Sequence, residues 1–232
     1  MRYPNLAEAA FVKRNNRFSA EVILGGVRET VHVKNTGRLS ELLLPGAKVF
    51  LEKAQNPNRK TAWDLVAVMK DGNMVSIDSQ LPNTLTEEWL KSGAFGELTY
   101  IKREKTFGQS RFDLYFEYEG KQAFMEVKGV TLNDGGTARF PDAPTERGVK
   151  HIRELIRAVE QGYEAWILFV IQMKGVTKMA PNWQTHREFG EALKEAGEKG
   201  VHIQAMDCVV SRKAVRIDRK IPVELCAAVQ PG

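Results

Sequence analysis

The stretch "SRFDLYFEYEGKQAFMEVKGV", residues 110–130, alternates apolar and polar residues on both sides of Glu119-Gly120. Alternation with a period of two marks a β-strand, and a two-residue turn containing Gly between two such strands marks a hairpin. Phe112, Leu114, Phe116 and Tyr118 fall on one face of the first strand and Asp113 on the other. In the second strand Ala123, Met125 and Val127 share a face, and Glu126 and Lys128 share the opposite one. A turn at 119–120 pairs Tyr118 with Lys121 and so sets Asp113 across from Glu126. Directly opposed residues have Cβ atoms about 4.5–5.5 Å apart, and like charges placed so destabilise a sheet. A bound Mg²⁺ or Mn²⁺ would relieve that repulsion; Mg²⁺ takes oxygen ligands and keeps waters for chemistry. The competing reading is structural: Arg111 and Lys128 neutralise two acids on a solvated sheet face.

The residues after the hairpin read as alternating helices and strands. "APTERGVKHIRELIRAVEQG" (143–162) carries an apolar stripe of Val149, Ile152, Leu155, Ile156 and Val159 at helical spacing, with Asp142 or Thr145 as N-cap and Gly162 as the stop. Arg147, Lys150 and Arg157 lie away from the stripe, as a phosphate-binding face or simply a solvated one. His151 is either a base or a structural histidine. "AWILFVI" (165–171) reads as a strand buried on both faces, "HREFGEALKEAG" (186–197) as a second amphipathic helix and "VHIQAM" (201–206) as a further strand. Together they predict an α/β domain with a mixed sheet.

Upstream, "SQLPNTLTEEWLKSG" (79–93) reads as a boundary, with Pro82-Asn83 ending the strand pattern and Thr84 or Thr86 capping a helix over 87–92. The predicted division is 1–83 and 84–232. The first unit shows strands at 17–24, 27–33, 47–53, 61–70 and 73–78, a hairpin signal at Gly25-Gly26, a helical turn over 37–46 and a polar loop at 55–60. Five short strands predict a small OB-like barrel, a fold that often takes oligonucleotides. The helical turn falls between the second and third of these strands, whereas an OB-fold has its helix between the third and fourth.

The chain of 232 residues carries a net charge of +5, and most of the excess is in residues 1–83, where 12 Lys and Arg face 8 Asp and Glu. An excess of that sign suggests an anionic partner, DNA or RNA. Arg14, Arg17, Lys34, Arg38, Arg59 and Lys60 are the candidates for a backbone-binding stripe, and Phe18, His32 and Trp63 for base stacking. Phe18 reads more naturally as barrel core. Two cysteines exclude a disulfide framework and a Cys-rich zinc site. The N-terminal residues have no apolar signal segment and no apolar run is long enough to span a bilayer, so the expected location is the cytoplasm.

The hairpin "FDLYFEYEGKQAFMEVK" resembles the PD-(D/E)xK nuclease core, with Phe112 where that motif has Pro. More specifically, "HVKNTGRLSELLLPG" (32–46), "RKT" (59–61), "LPN" (81–83), "SRFD" (110–113), "MEVKGVTL" (125–132) and "FPDAPTERGVKH" (140–151) resemble the sugar fermentation stimulation protein A family over nearly the whole chain. The resemblance implies an OB-like N-terminal domain, a restriction-endonuclease-like C-terminal domain, DNA binding and a regulatory link to sugar use. It implies metal ligation by Asp113 and Glu126, and a Lys128 that orients water or stabilises developing charge. Glu104 matches an acid placed just before the hairpin, and Glu87 and Glu88 are rival candidates for a helix-borne acid.

Overall fold

The computed structural model describes residues 1–226 apart from 4 and 57, the latter in the 55–60 loop. The N-terminal unit is a closed barrel of five strands: β1 (Leu6–Asn16), β2 (Ser19–Leu24), β3 (Val27–Val33), β4 (Lys48–Lys53) and β5 (Trp63–Lys70). Their order is β3-β2-β1-β4-β5, closed by parallel pairing of β3 with β5, and β6 (Asn73–Ser76) adds to β5. β1 was not among the sequence-predicted strands, because "LAEAAFVKRNN" mixes exposed charges and small residues and shifts register against β2. Counting it resolves the OB discrepancy. The 37–46 turn now follows the third strand, and it is a single turn, with Leu42 and Leu43 N–H donating to the Leu39 carbonyl.

α1 (Leu81–Lys91) starts six residues before the predicted 87. Pro82 does not interrupt it, since a proline in the first turn forfeits only an N–H that has no helical acceptor. Neither Thr84 nor Thr86 caps it; Thr86 donates instead to the Pro82 carbonyl at 2.8 Å.

The C-terminal sheet has six strands in the order β15-β14-β12-β9-β8-β7: β7 (Leu98–Phe107), β8 (Ser110–Tyr118), β9 (Lys121–Val130), β12 (Glu164–Ile171), β14 (His202–Val210) and β15 (Val215–Ile221). β9, β12 and β14 run parallel and the outer strands antiparallel, the mixed sheet expected. Between β9 and β12 lie β10 (Leu132–Asp134), β11 (Thr137–Phe140) and α2 (Glu146–Glu160); β13 (Lys178–Pro181) joins β10 and β11 in a small separate sheet, and α3 (Arg187–Glu198) follows. One face of the large sheet buries Leu114, Phe116, Met125 and Val170 against Leu81, Leu85 and Leu90 of α1. The other buries Phe112, Tyr115, Phe124 and Phe169 against Val149, Ile152 and Leu155 of α2 and Phe189 and Leu193 of α3. Among the described residues no helix is long and apolar enough to cross a membrane.

Candidate active site

The hairpin register is the one read from the turn. Tyr118 pairs with Lys121 and Leu114 with Met125, and Glu119 and Gly120 have φ of 49° and 74°, the left-handed pair that a tight hairpin turn requires. Pairing stops at Leu114–Met125, one residue short of Asp113. The alternation breaks there too. Phe112 does not share a face with Leu114; it packs with Phe124 and, edge-on, with His151 on the α2 side. Released from the ladder, Asp113 turns its carboxylate back: Oδ2 accepts the Val127 N–H at 2.8 Å and Oδ1 accepts from Asn83 of α1 at 2.9 Å.

Glu126 is 3% exposed, in the middle of the sheet. Its Oε1 meets Lys128 Nζ at 2.6 Å and His151 Nδ1 at 2.5 Å. Its Oε2 is buried with no hydrogen-bond partner among the described residues. Lys128 lies on the same strand two residues on, and His151 comes from the second turn of α2, where Arg147 Nε approaches its other ring nitrogen at 3.3 Å. Burial would raise the Glu126 carboxyl, but the hydrogen bond with His151 and the Lys128 charge hold it below the usual carboxylate range. Asp113 goes the other way: burial and the neighbouring Glu126 charge push it up against the hydrogen bonds from Val127 and Asn83. Two neighbouring carboxyls driven apart in this way are a frequent property of catalytic sites.

The three carboxylates considered as a further ligand are turned elsewhere. Glu87 binds Arg103 and Lys91, Glu88 binds the N-terminal amine, and the exposed Glu104 lies 3.3 Å from Arg111. The α1 residue that reaches Asp113 is Asn83, within the quoted "LPN" but not singled out from sequence. Sequence leaves His151 either a base or a structural histidine, and only its meeting with Glu126 distinguishes it. Lys150 donates to the Gln109 carbonyl at 3.3 Å, and Arg157 pairs with Glu154.

The orphaned Glu126 Oε2 suits a divalent cation, and each Asp113 oxygen keeps a lone pair beyond the hydrogen bond it accepts. A second group, Glu146, His186 and Glu188, has its ligand atoms within 4.8 Å of one another. It fits less well: His186 Nδ1 accepts the Thr145 N–H, so the neutral ring carries its proton on Nε2, the nitrogen that faces Glu146.

The basic residues of the barrel divide into two groups. Arg14 donates to the carbonyls of Asn16, Arg17, Asn35, Gly37 and Arg38 and is a structural clamp. Lys34 sits among Glu52, Asp64 and Asp78, and Arg59 and His32 bind the buried Asp64. Trp63 is partly buried against the barrel core. Arg17, Arg38 and Lys60 are exposed and make no ion pair among the described residues. Phe18, read as core, is 54% exposed at the β1–β2 turn.

Two family models match this chain, the SfsA N-terminal OB domain over residues 12–77 and the sugar fermentation stimulation protein RE domain over residues 80–214. The chain belongs to the sugar fermentation stimulation protein family. Sugar fermentation stimulation protein homologs from Desulfitobacterium hafniense (strain DSM 10664 / DCB-2) and Ruminiclostridium cellulolyticum are 50% and 49% identical to it, each over 97% of this chain and 99% and 100% of the relative. Among solved structures, Pyrococcus furiosus SfsA in complex with Ca²⁺ superposes with a TM-score of 0.87 at 31% identity, covering 97% of this chain and 98% of that one. The family assignment agrees with the OB barrel and the mixed-sheet domain described above.

Proposed function

We propose that this member of the family binds nucleic acid and hydrolyses its phosphodiester bonds at Asp113, Glu126 and Lys128 with Mg²⁺ or Mn²⁺, in the cytoplasm. The observation that carries this reading is the buried Glu126, with one oxygen saturated by Lys128 and His151 and the other left without a partner beside a second carboxylate. A structural ion pair would need neither the orphaned oxygen nor the neighbouring acid. Asp113 and Glu126 would hold the cation, which when bound lowers the pKa of a water and screens phosphate charge. Asn83 and the Val127 N–H orient Asp113. Lys128 is placed to stabilise negative charge developing beside Glu126. Arg147 and Lys150, exposed on the first two turns of α2, are positioned to bind the phosphate backbone. That the Pyrococcus relative was solved with Ca²⁺, a cation that takes oxygen ligands, supports a hard-metal site here. Two free cysteines, one of them buried, are in keeping with a reducing compartment.

One observation favours a non-catalytic DNA-binding regulator of sugar metabolism instead: Asn83, not a third acid, completes the surroundings of Asp113. Cleavage of labelled single-stranded DNA, duplex DNA and RNA with Mg²⁺ or Mn²⁺ separates the two readings. Asp113→Ala, Glu126→Ala and Lys128→Ala should each abolish cleavage while affinity stays close to wild type. DNA binding by the wild type with no cleavage under any metal would establish the regulator.

A further inference from the structure

The segments 35–38 and 139–145 are among the most distinctive of the chain, yet the hydrolytic residues use neither. They face each other across a cleft of about 500 Å³ between the barrel and the C-terminal domain. Its floor is the end of β9, one residue beyond Lys128. Gly129 is required there, because a Cβ would lie 2.7 Å from Gln172 Oε1 and 2.8 Å from Pro82 Cγ. Three arginines line it. Among the described residues Arg17 makes no ion pair, Arg38 donates only to the Asp142 carbonyl at 2.7 Å, and Arg139 binds Asp134. Asp142 is the single carboxylate in the lining. Phe18, next in the chain to Arg17, is the large aromatic side chain most exposed to solvent among the described residues.

From this geometry we infer that the cleft holds a single strand of nucleic acid at the entrance to the hydrolytic site, with phosphates on Arg17 and Arg38 and the next base, outside the lining, stacked on Phe18. The inference rests on the nucleic-acid reading given above and adds the form of the substrate. Arginines beside an exposed aromatic are the pairing by which proteins hold unpaired strands, where every base offers a face for stacking. The volume lies within the about 300–1,000 Å³ of small-ligand pockets. A space of that size suits a nucleotide or two, and the bases of a continuous duplex are stacked on one another and unavailable to Phe18.

Fluorescence anisotropy in chelator, with no cleavage, tests this on the full chain. Labelled ten-nucleotide oligothymidylate and oligouridylate should bind at least ten-fold more tightly than a blunt DNA hairpin of equal charge. Phe18→Ala should weaken oligomer binding by about ten-fold and leave the hairpin unchanged. Arg17→Ala combined with Arg38→Ala should weaken it further, whereas Lys194→Ala, an exposed cation of α3 outside the cleft, should change it less than two-fold. Phe18 and both arginines are exposed, so thermal melts of the variants should match wild type, which keeps lost binding distinct from lost folding. Equal or tighter binding of the hairpin would overturn the inference, as would unchanged oligomer affinity in Phe18→Ala. Equal affinity for thymidine monophosphate would overturn it too, because the cleft would then be a free-nucleotide site. Since no arm depends on hydrolysis, these results stand apart from success or failure of the cleavage assay.

Discussion

Asp113 and Glu126 illustrate how two identical functional groups acquire different properties from their partners. Glu126 faces a lysine and a histidine and is stabilised as the anion; Asp113 faces an amide N–H and a carboxamide and is not. Substituting Asp113 by Asn keeps the shape, removes the repulsion, and keeps both hydrogen bonds once the Asn83 carboxamide flips to present its oxygen. In chelator, Asp113→Asn should therefore melt at or above the wild-type temperature, by up to about 1 kcal/mol of added stability. Millimolar Mg²⁺ or Mn²⁺ should raise the melting temperature of wild type by mass action and leave the variant unmoved. A destabilised variant beside a metal-indifferent wild type would instead mean a plain ion-pair network. His151→Phe should cost about 1–3 kcal/mol by urea denaturation, because it strips a partner from a buried carboxylate. A solvated helical histidine would lose nothing measurable. The charge pattern of 110–130 pointed to the two acids and the lysine. His151 and Asn83 could not be ranked from sequence, because what distinguishes each is a partner 25 or 30 residues away.

Among the elements, the segment 35–38 depends on one side chain. Five carbonyls accept from the Arg14 guanidinium, which burial holds below its usual pKa. Arg14→Lys cannot reproduce a planar fork with that many donors. It should lose at least about 2 kcal/mol in chemical denaturation, whereas a surface arginine serving only to bind phosphate would leave stability intact. The strands and helices with clean periodicity were legible: β2, β3, the 110–130 hairpin, α2 and α3. β7 was not, because as the edge strand it exposes Lys102, Arg103 and Glu104 in succession and shows no alternation. Charged edges of that kind protect a sheet against pairing with other chains, and the same charges hide the strand from pattern reading.

The barrel and the α/β domain are joined by hydrogen bonds that neither could make alone. The Ser76 N–H donates to the Gln172 carbonyl, and the buried Gln172 carboxamide donates to Ser76 Oγ and the Asp78 carbonyl. The Tyr3 N–H donates to Lys213 O, and Arg212 reaches Glu8. Calorimetry should accordingly show one transition, with calorimetric and van't Hoff enthalpies equal; two resolved transitions would mean independently folding halves.

Periodicity, turn chemistry and charge sufficed for the two-part architecture and the hairpin register, because each depends on neighbours close in the chain. The fate of the basic residues lay beyond such reading. Arg14, Lys34 and Arg59 are spent on carbonyls and buried acids, while Arg17 and Arg38 stay exposed and make no ion pair among the described residues. Nothing local distinguishes the two groups. A guanidinium is structural or available according to which distant carbonyls and carboxylates the fold brings within hydrogen-bond reach, and that is settled only when the barrel closes and docks on the sheet.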